Sequence, residues 1–531
     1  MLSEPYRLLC FRSVILITLA GLVRPALCSD ITPKTAAIPS PKKLEVVAGP
    51  FLLLNEKTLA EQRQELAERE RHLERHHEKL QVPKSGSRVK PLLTSTPFVG
   101  TPTALNSTKT SVKMLLDRVL TIHETGAVVS TTCEPSLALR GDEVLLTGNW
   151  FASFSTNATS AASSFKAIRP GDLFPSPSPD LPFCCDQVAY YDPKDDLMLW
   201  VLQYEYNGDG DFFRLAVAQG DDIKKQNWRY YDLSPQIVGH YTKEWFDFPA
   251  CGLSRKYFYL TTNSYATCCG NQLPFVRATA IRIPLDKLAA YQGFDLEYFD
   301  TKDFTNGDAP VGSLCPTQGA SDTMYLGAHA NDSTLRVFTW PDAGPKVVTN
   351  DVSVTTWSSD DYTAPNPQGG DWLARLDGRI TAGWVSKKTV GFGWCAAKDE
   401  DYRFPHVRIA ILDPLANKVV DEPHIYSPDF AYAYPAAAPS VDGNVGITLH
   451  FGGDTINPSV AVGILQPGQN GHGTWDLATV VAGKAFPPKG FWGDFLTMRL
   501  DGKNQKNWAA ATFVQDNNGR PQVSYHIFTT K

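Results

Sequence analysis

The chain has 531 residues, of which 43% are hydrophobic, 11% aromatic and 20% charged. Its 12 Trp, 20 Tyr and 27 Phe are enough for a large core, which excludes wholesale disorder. A net charge of -6 gives no basic field, so no nucleic-acid partner is expected.

At the N-terminus, Arg7 and Arg12 precede the apolar run 13–23, and Arg24-Pro25 breaks it before Ala26-Leu-Cys28. Charged, apolar and cleavage regions in that order read as a signal peptide over 1–28, so the protein is expected to be secreted. The run is shorter than the roughly 20 residues a bilayer requires, and no later stretch reaches that length, so no stable membrane span is expected. Residues 29–112 read as an N-terminal extension. Within it, residues 57–82 are rich in Glu, Arg, Lys and Leu and predict a charged, solvated helix that Pro83 ends. Residues 84–112, rich in Ser, Thr and Pro, read as a linker.

From residue 113 to 531 the texture becomes short apolar runs punctuated by Gly, Asn and Asp, for example 197–204, 256–262 and 276–283. Each has the length and composition of a strand. Four aspartates recur just before such runs: Asp186, Asp247, Asp371 and Asp494. Their spacings are one, two and two multiples of about 61 residues, with Gln318 and Tyr434 in the skipped slots and a further unit starting at Glu134. Fixed-period units of about four strands predict an all-β, seven-bladed β-propeller, with a six-bladed ring as the alternative. The last unit has room for three strands, and Val119–Thr131 is the expected fourth.

In a propeller the entries to the innermost strands share one end of the channel. Asp186, Asp247, Asp371 and Asp494, with Gln187, Gln318 and Glu134, are therefore expected around one mouth. Asp186, Asp371 and Asp494 are the catalytic candidates there, joined by His329 and His406 as loop bases. Gln187, Asp247, Gln318, Trp372 and Trp492 are the candidate ligand contacts, the tryptophans as exposed faces for sugar rings together with Trp245. Carboxylates in such a ring suit Ca²⁺ or acid–base work on glycosides, or they simply cap backbone donors at each strand entry. No cofactor is demanded.

Eight cysteines follow the signal: Cys133, Cys184, Cys185, Cys251, Cys268, Cys269, Cys315 and Cys395. An even set in an exported chain suggests disulfides. All eight are expected near the same mouth. Cross-bonding between neighbouring loops, vicinal bonds within Cys184-Cys185 and Cys268-Cys269, and a thiolate metal site all fit the sequence. Asn106, Asn157 and Asn331 lie in glycosylation sequons.

The strand-entry pattern over 130–531 resembles secreted, sialidase-like β-propellers. The residues that carry it are Phe183-Cys-Cys-Asp-Gln187 with Ala216-Val-Ala218 and Trp228-Arg-Tyr-Tyr231. The resemblance implies binding or processing of extracellular glycans. It transfers no catalytic residue: the arginine trio, Tyr–Glu pair and Asp of sialidases find no motif here, and the nearest approach to their Asp-box, Gly468 to Trp475, lacks its Ser and Gly. The expected function is recognition of a glycan or protein at one channel mouth. A glycoside hydrolase or polysaccharide lyase at the same mouth is the alternative.

Overall fold

The computed structural model describes residues 29–44, 51–52, 54–73, 79–90, 97–105, 107–160, 162–267, 274–304, 309–467, 472–486 and 491–531. Residues 1–28, where a signal peptide is expected, Asn106 and the Cys268-Cys269 pair lie outside them.

Seven antiparallel sheets follow one another along the chain. Their innermost strands are Ser136–Arg140, Phe183–Asp192, Glu244–Leu253, Cys315–Pro316, Ile380–Ser386, Ala431–Pro439 and Thr497–Leu500. We number the blades one to seven in that order. The ring closes in blade seven, where Val112–Val119 pairs antiparallel with Pro521–Thr530. The closing strand therefore lies upstream of the expected 119–131. Residues 122–125 instead make a helical turn, Ile122–Thr125, fixed by a capping box between Thr121 and Glu124.

Blade strands alternate small and bulky apolar residues, and facing blades bury them against each other. Trp200, Trp228, Trp340, Trp384, Trp394 and Trp508 are fully buried. Gly446 in blade six illustrates the fit, since a Cβ there would stand 2.8 Å from the Trp508 ring of blade seven.

The described strands of 29–112 lie along the outer edges of the blades. Ser29–Ile31 adds an outer strand to blade four, Lys34–Ile38 to blade three and Lys42–Lys43 to blade two. Phe98–Val99 and Thr103–Ala104 then pair, in parallel, with blades five and six. The Ser/Thr/Pro-rich composition read as a linker is thus compatible with short edge pairing. Covering outer edges removes unpaired backbone groups that would otherwise recruit other chains.

The helix spans Glu56–Leu73, ending before residue 82. Propensity carries 79–82 toward helix, but docking overrides it: the Leu80 backbone N–H donates to the Asp377 carboxylate at 2.8 Å, and Val82 packs on the cluster between blades four and five. The helix is also not solvated all round. Leu59 and Gln62 are buried. The Gln62 side-chain oxygen accepts from the Ala127 N–H at 2.8 Å, and the Glu70 carboxylate accepts from the Thr131 N–H at 2.9 Å.

Candidate functional site

The innermost strands of blades two, three, five and six each carry a register shift near their start, between Phe183 and Gln187, Asp247 and Ala250, Ile380 and Ala382, and Ala433 and Ala436. A bulge turns side chains out of the ladder. Here the residues released are Asp186, Phe248, Thr381 and Tyr434, all at the channel end where these strands begin. Among the described residues, three of the twelve non-glycine residues with positive φ are at the same place: Glu134, Phe248 and Tyr434, with φ of 49°, 55° and 56°. Non-glycine residues in that region cost of order 1 kcal/mol or more and concentrate at functional sites.

Glu134, Asp186, Asp247 and Asp494 come together there. The Glu134 carboxylate accepts from the Asp494 backbone N–H at 3.2 Å and from the Asn149 amide at 2.9 Å, and it shares a hydrogen bond with Asp186. Burial, then the Asp494 charge, pushes Glu134 up to about 7, against the pull of Arg375. Burial, with Glu134 and Asp247 nearby, holds Asp186 well above the usual carboxylate range. Two neighbouring carboxyls in low dielectric cannot both ionise cheaply, so the pair retains protons at neutral pH. Burial also raises Asp247, which accepts from the Gln203 amide at 3.1 Å.

The counter-charge comes from the entry to blade five. Arg375 donates through Nε and Nη2 to the two Asp494 carboxylate oxygens at 3.2 and 3.1 Å. Arg379 lies 3.4 Å from Asp377 and 3.9 Å from Asp494, with its guanidinium 4.5 Å over the Phe248 ring. Tyr434 lines the same small cavity as Arg375 and Asp494, about 10 Å³. Its buried hydroxyl finds no hydrogen-bond partner among the described residues. Phe248 and Phe495, partly exposed and meeting edge to face at 6.1 Å, lie just below. Asp247 and Asp494 also keep partial exposure, while Glu134, Asp186 and Tyr434 are buried.

Several candidates go elsewhere. Asp371 is separated from the blade-five strand by the loop 372–379 and caps that loop, accepting from the backbone of Ala364 and Leu373 at 3.0 and 2.9 Å. Gln187 is buried and ties blade two to blade one: its amide donates to the Gly148 and Phe151 carbonyls and accepts from Trp200 Nε1 at 2.9 Å. Gln318 crosses the channel interior. It donates to Ala437 O and Met498 O at 2.8 and 2.9 Å and accepts from the Tyr190 hydroxyl at 3.2 Å.

The tryptophans are not exposed faces. Trp372 packs edge-on against Trp492 at 5.8 Å, and Trp492 donates to His450 Nδ1 at 3.0 Å. Trp245 is buried between Tyr206 and Tyr265. Their apolar area is worth more in the core than at a wet rim. His329 sits between Trp357 and Trp394, and burial pushes it down to about 3. His406 stacks on Tyr402 at 3.9 Å and is held well below the usual range by burial and Arg408. Both imidazoles are neutral core residues, remote from the role of loop bases.

Of the cysteines, Cys184 and Cys185 form a vicinal disulfide beside Asp186. Cys133, Cys251, Cys315 and Cys395 are buried free thiols, which corrects cross-bonding for these four. Cys251 and Cys315 line the channel interior, and Cys395 Sγ accepts from the Tyr434 N–H at 3.2 Å. Cys251 and Cys315 thus lie along the channel and not at one mouth, and the four free thiols serve as small buried side chains. Among the described residues no cluster of His, Cys, Asp or Glu is arranged to hold a metal ion. The guanidinium of Arg375 supplies the positive charge beside Asp494.

Arg375, Asp377, Arg379, Tyr434, Phe248 and Phe495 were not singled out from sequence. The run Arg375-Leu-Asp-Gly-Arg379, directly ahead of the apolar strand at Ile380, is the signal that would have found three of them.

No family model matches the chain, and no curated protein matches it. Solved structures similar to it are sialidase and glycosidase propellers. A Trypanosoma rangeli sialidase mutant displaying trans-sialidase activity is 7% identical with a TM-score of 0.35, over 63% of this chain and 52% of that one. The NanB sialidase of Streptococcus pneumoniae is 7% identical with a TM-score of 0.38, over 73% and 82%. The Penicillium chrysogenum α-L-arabinanase complexed with arabinobiose is 11% identical with a TM-score of 0.34, over 66% and 93%. The chain spans about half the length of the trypanosomal protein. The resemblance is loose. Among the described residues, no helix is long and apolar enough to cross a membrane.

Proposed function

We propose that this is a secreted propeller that binds carbohydrate at the channel end where the innermost strands begin. The observation that carries the reading is the Arg375–Asp494 pair set beside the proton-bearing Glu134–Asp186 pair, with the unpartnered Tyr434 hydroxyl in the same cavity. Sugar hydroxyls both donate and accept. A guanidinium, an ionised carboxylate, a protonated carboxyl and a phenol offer them complementary partners, and charged partners give the stronger bonds. The partly exposed Phe248 and Phe495 supply an apolar face for the C–H side of a ring.

Glycoside hydrolysis is the second reading. Glu134 near 7 is poised to donate a proton at neutral pH, and the Arg375-paired Asp494 is a carboxylate of the opposite role. The test is a glycan array with the full-length protein, followed by mass spectrometry of any retained glycan. Retention of intact glycan that Asp494→Asn weakens at least tenfold, without loss of thermal stability, supports binding. Release of shortened glycan that depends on Glu134 moves the assignment to hydrolysis. If no glycan is retained, or Asp494→Asn retains it equally, carbohydrate binding at this end is wrong. Secretion is tested separately, by N-terminal sequencing of protein recovered from the culture medium of a eukaryotic host.

A further inference from the structure

The innermost strands end on the opposite side of the ring, and there the channel opens into a cavity of about 400 Å³. Its walls include Leu139, Tyr190, Leu253, Pro439 and Leu500, with Arg499 among them. The volume falls within the roughly 300–1,000 Å³ usual for small-molecule sites. Gln318, hydrogen-bonded to blades two, six and seven, stands between this cavity and the acidic end. The two ends lie at opposite termini of the innermost strands, with the channel interior between them.

Arg499 is the unusual wall residue. Its guanidinium lies 4.1 Å over the Tyr190 ring. It donates to the Met498 carbonyl at 3.1 Å and, at the 3.5 Å limit, to the Ala189 carbonyl. Its Nε is shielded from solvent with no partner among the described residues. No carboxylate in the described residues forms an ion pair with it. The other charges around the cavity are already engaged. Asp192 accepts from the backbone N–H groups of Lys194 and Asp195. Lys194 pairs with Asp195 at 3.2 Å, and Arg255 with Asp322 at 3.0 Å. A guanidinium has five donors in a planar fork that matches a carboxylate. Burying one without a counter-charge is costly unless a ligand supplies it.

We propose that this cavity binds a small organic carboxylate, with the carboxylate on Arg499 and an apolar body against Leu139, Leu253 and Pro439. The proposal is independent of carbohydrate binding at the other end. Inorganic phosphate would satisfy the charge but leave the apolar walls uncovered.

Isothermal titration calorimetry on the full chain tests this, using octanoate, octanamide and inorganic phosphate as probes. The expected result is saturable octanoate binding, at least tenfold weaker octanamide binding and no phosphate binding. Arg499→Gln should weaken octanoate at least tenfold. Should that variant fail to fold, Ser321→Trp decides, because it fills the cavity from an exposed rim position and leaves Arg499 in place; it too should abolish octanoate binding. Equal affinity for octanoate and octanamide, phosphate binding without octanoate binding, no binding of any probe, or full octanoate affinity in folded Arg499→Gln or Ser321→Trp would each overturn the proposal.

Discussion

Replacing Glu134 by Gln tests whether the acidic end holds the protons assigned to it. In the native protein Glu134 is raised from 4.5 to about 7, first by burial and then by Asp494. The unfolded chain has the ordinary value. Between those two pH values the native state carries a proton that the unfolded state has lost, so stability falls as pH rises through the interval. Below the interval both states are protonated, and above it both are ionised, so this group adds no slope in either region. At about 1.4 kcal/mol per pH unit, the loss across the interval is roughly 3 kcal/mol as an upper bound. With an unfolding entropy of about 2 cal/mol/K per residue in a chain of this size, that corresponds to about 3 °C in Tm. Gln cannot titrate. Its amide also meets Asn149 differently, which gives a constant offset, so the informative quantity is the difference in Tm between wild type and Glu134→Gln as a function of pH. Asp211, raised by burial, slopes both proteins in the same sense and cancels, whereas Asp186 in the variant loses the part of its rise that Glu134 causes, which adds to the drift in the same direction. The difference should drift in favour of the variant by about 3 °C from pH 4.5 to 7 and then level off. A difference that stays flat with pH would mean that Glu134 is ionised in the native state, and the proton-sharing pair with Asp186 would have to be abandoned.

Tyr434→Phe removes a buried hydroxyl that has no partner, so stability should stay level or rise by up to about 1 kcal/mol, while glycan retention falls; a marked drop in Tm would show that the hydroxyl has a structural partner. Gln187→Leu leaves the Gly148 and Phe151 carbonyls and the Trp200 N–H unpaired between blades one and two, at an expected cost of about 3 kcal/mol in urea unfolding. A cost below about 0.5 kcal/mol would mean the inter-blade tie is dispensable. Excising residues 29–43 uncovers the outer edges of blades two, three and four, and light scattering should report self-association that the full chain lacks. A monodisperse excision variant of unchanged Tm would show that these edge strands protect nothing.

The blade count was legible because a repeated supersecondary unit forces a repeated sequence signal: a polar entry followed by an alternating apolar strand, at a period set by four strands and their turns. That signal marks strand entries, and Glu134, Asp186, Asp247 and Asp494 meet because their entries do. The same reasoning misplaced Asp371. Blade five enters through a longer loop, so the period lands on a residue that caps the loop, and the groups facing the channel are Arg375, Asp377 and Arg379 a few positions on. Counting carboxylates alone also hid the cations. Yet four clustered acids at the axis of a protein of modest net charge demand nearby positive charge or bound protons, and the structure supplies both, through Arg375 and through Glu134 with Asp186. Periodicity could not separate a tryptophan at the rim from one in the core, because both precede a strand. Burial decides that, and Trp372 and Trp492 went to the core with His450 as a polar partner.

Two of the residues at the acidic end, Phe248 and Tyr434, share a feature the sequence does not display, a bulge combined with a positive φ. Phe248 and Tyr434 are bulky side chains held where glycine would be easier. A fold that needed only a turn at those points could use glycine, as it does at Gly319 and Gly443. Keeping an aromatic ring and a phenol in strained backbone at the acidic end, and nowhere relaxing the strain through the side chain, places the demand on what those side chains touch.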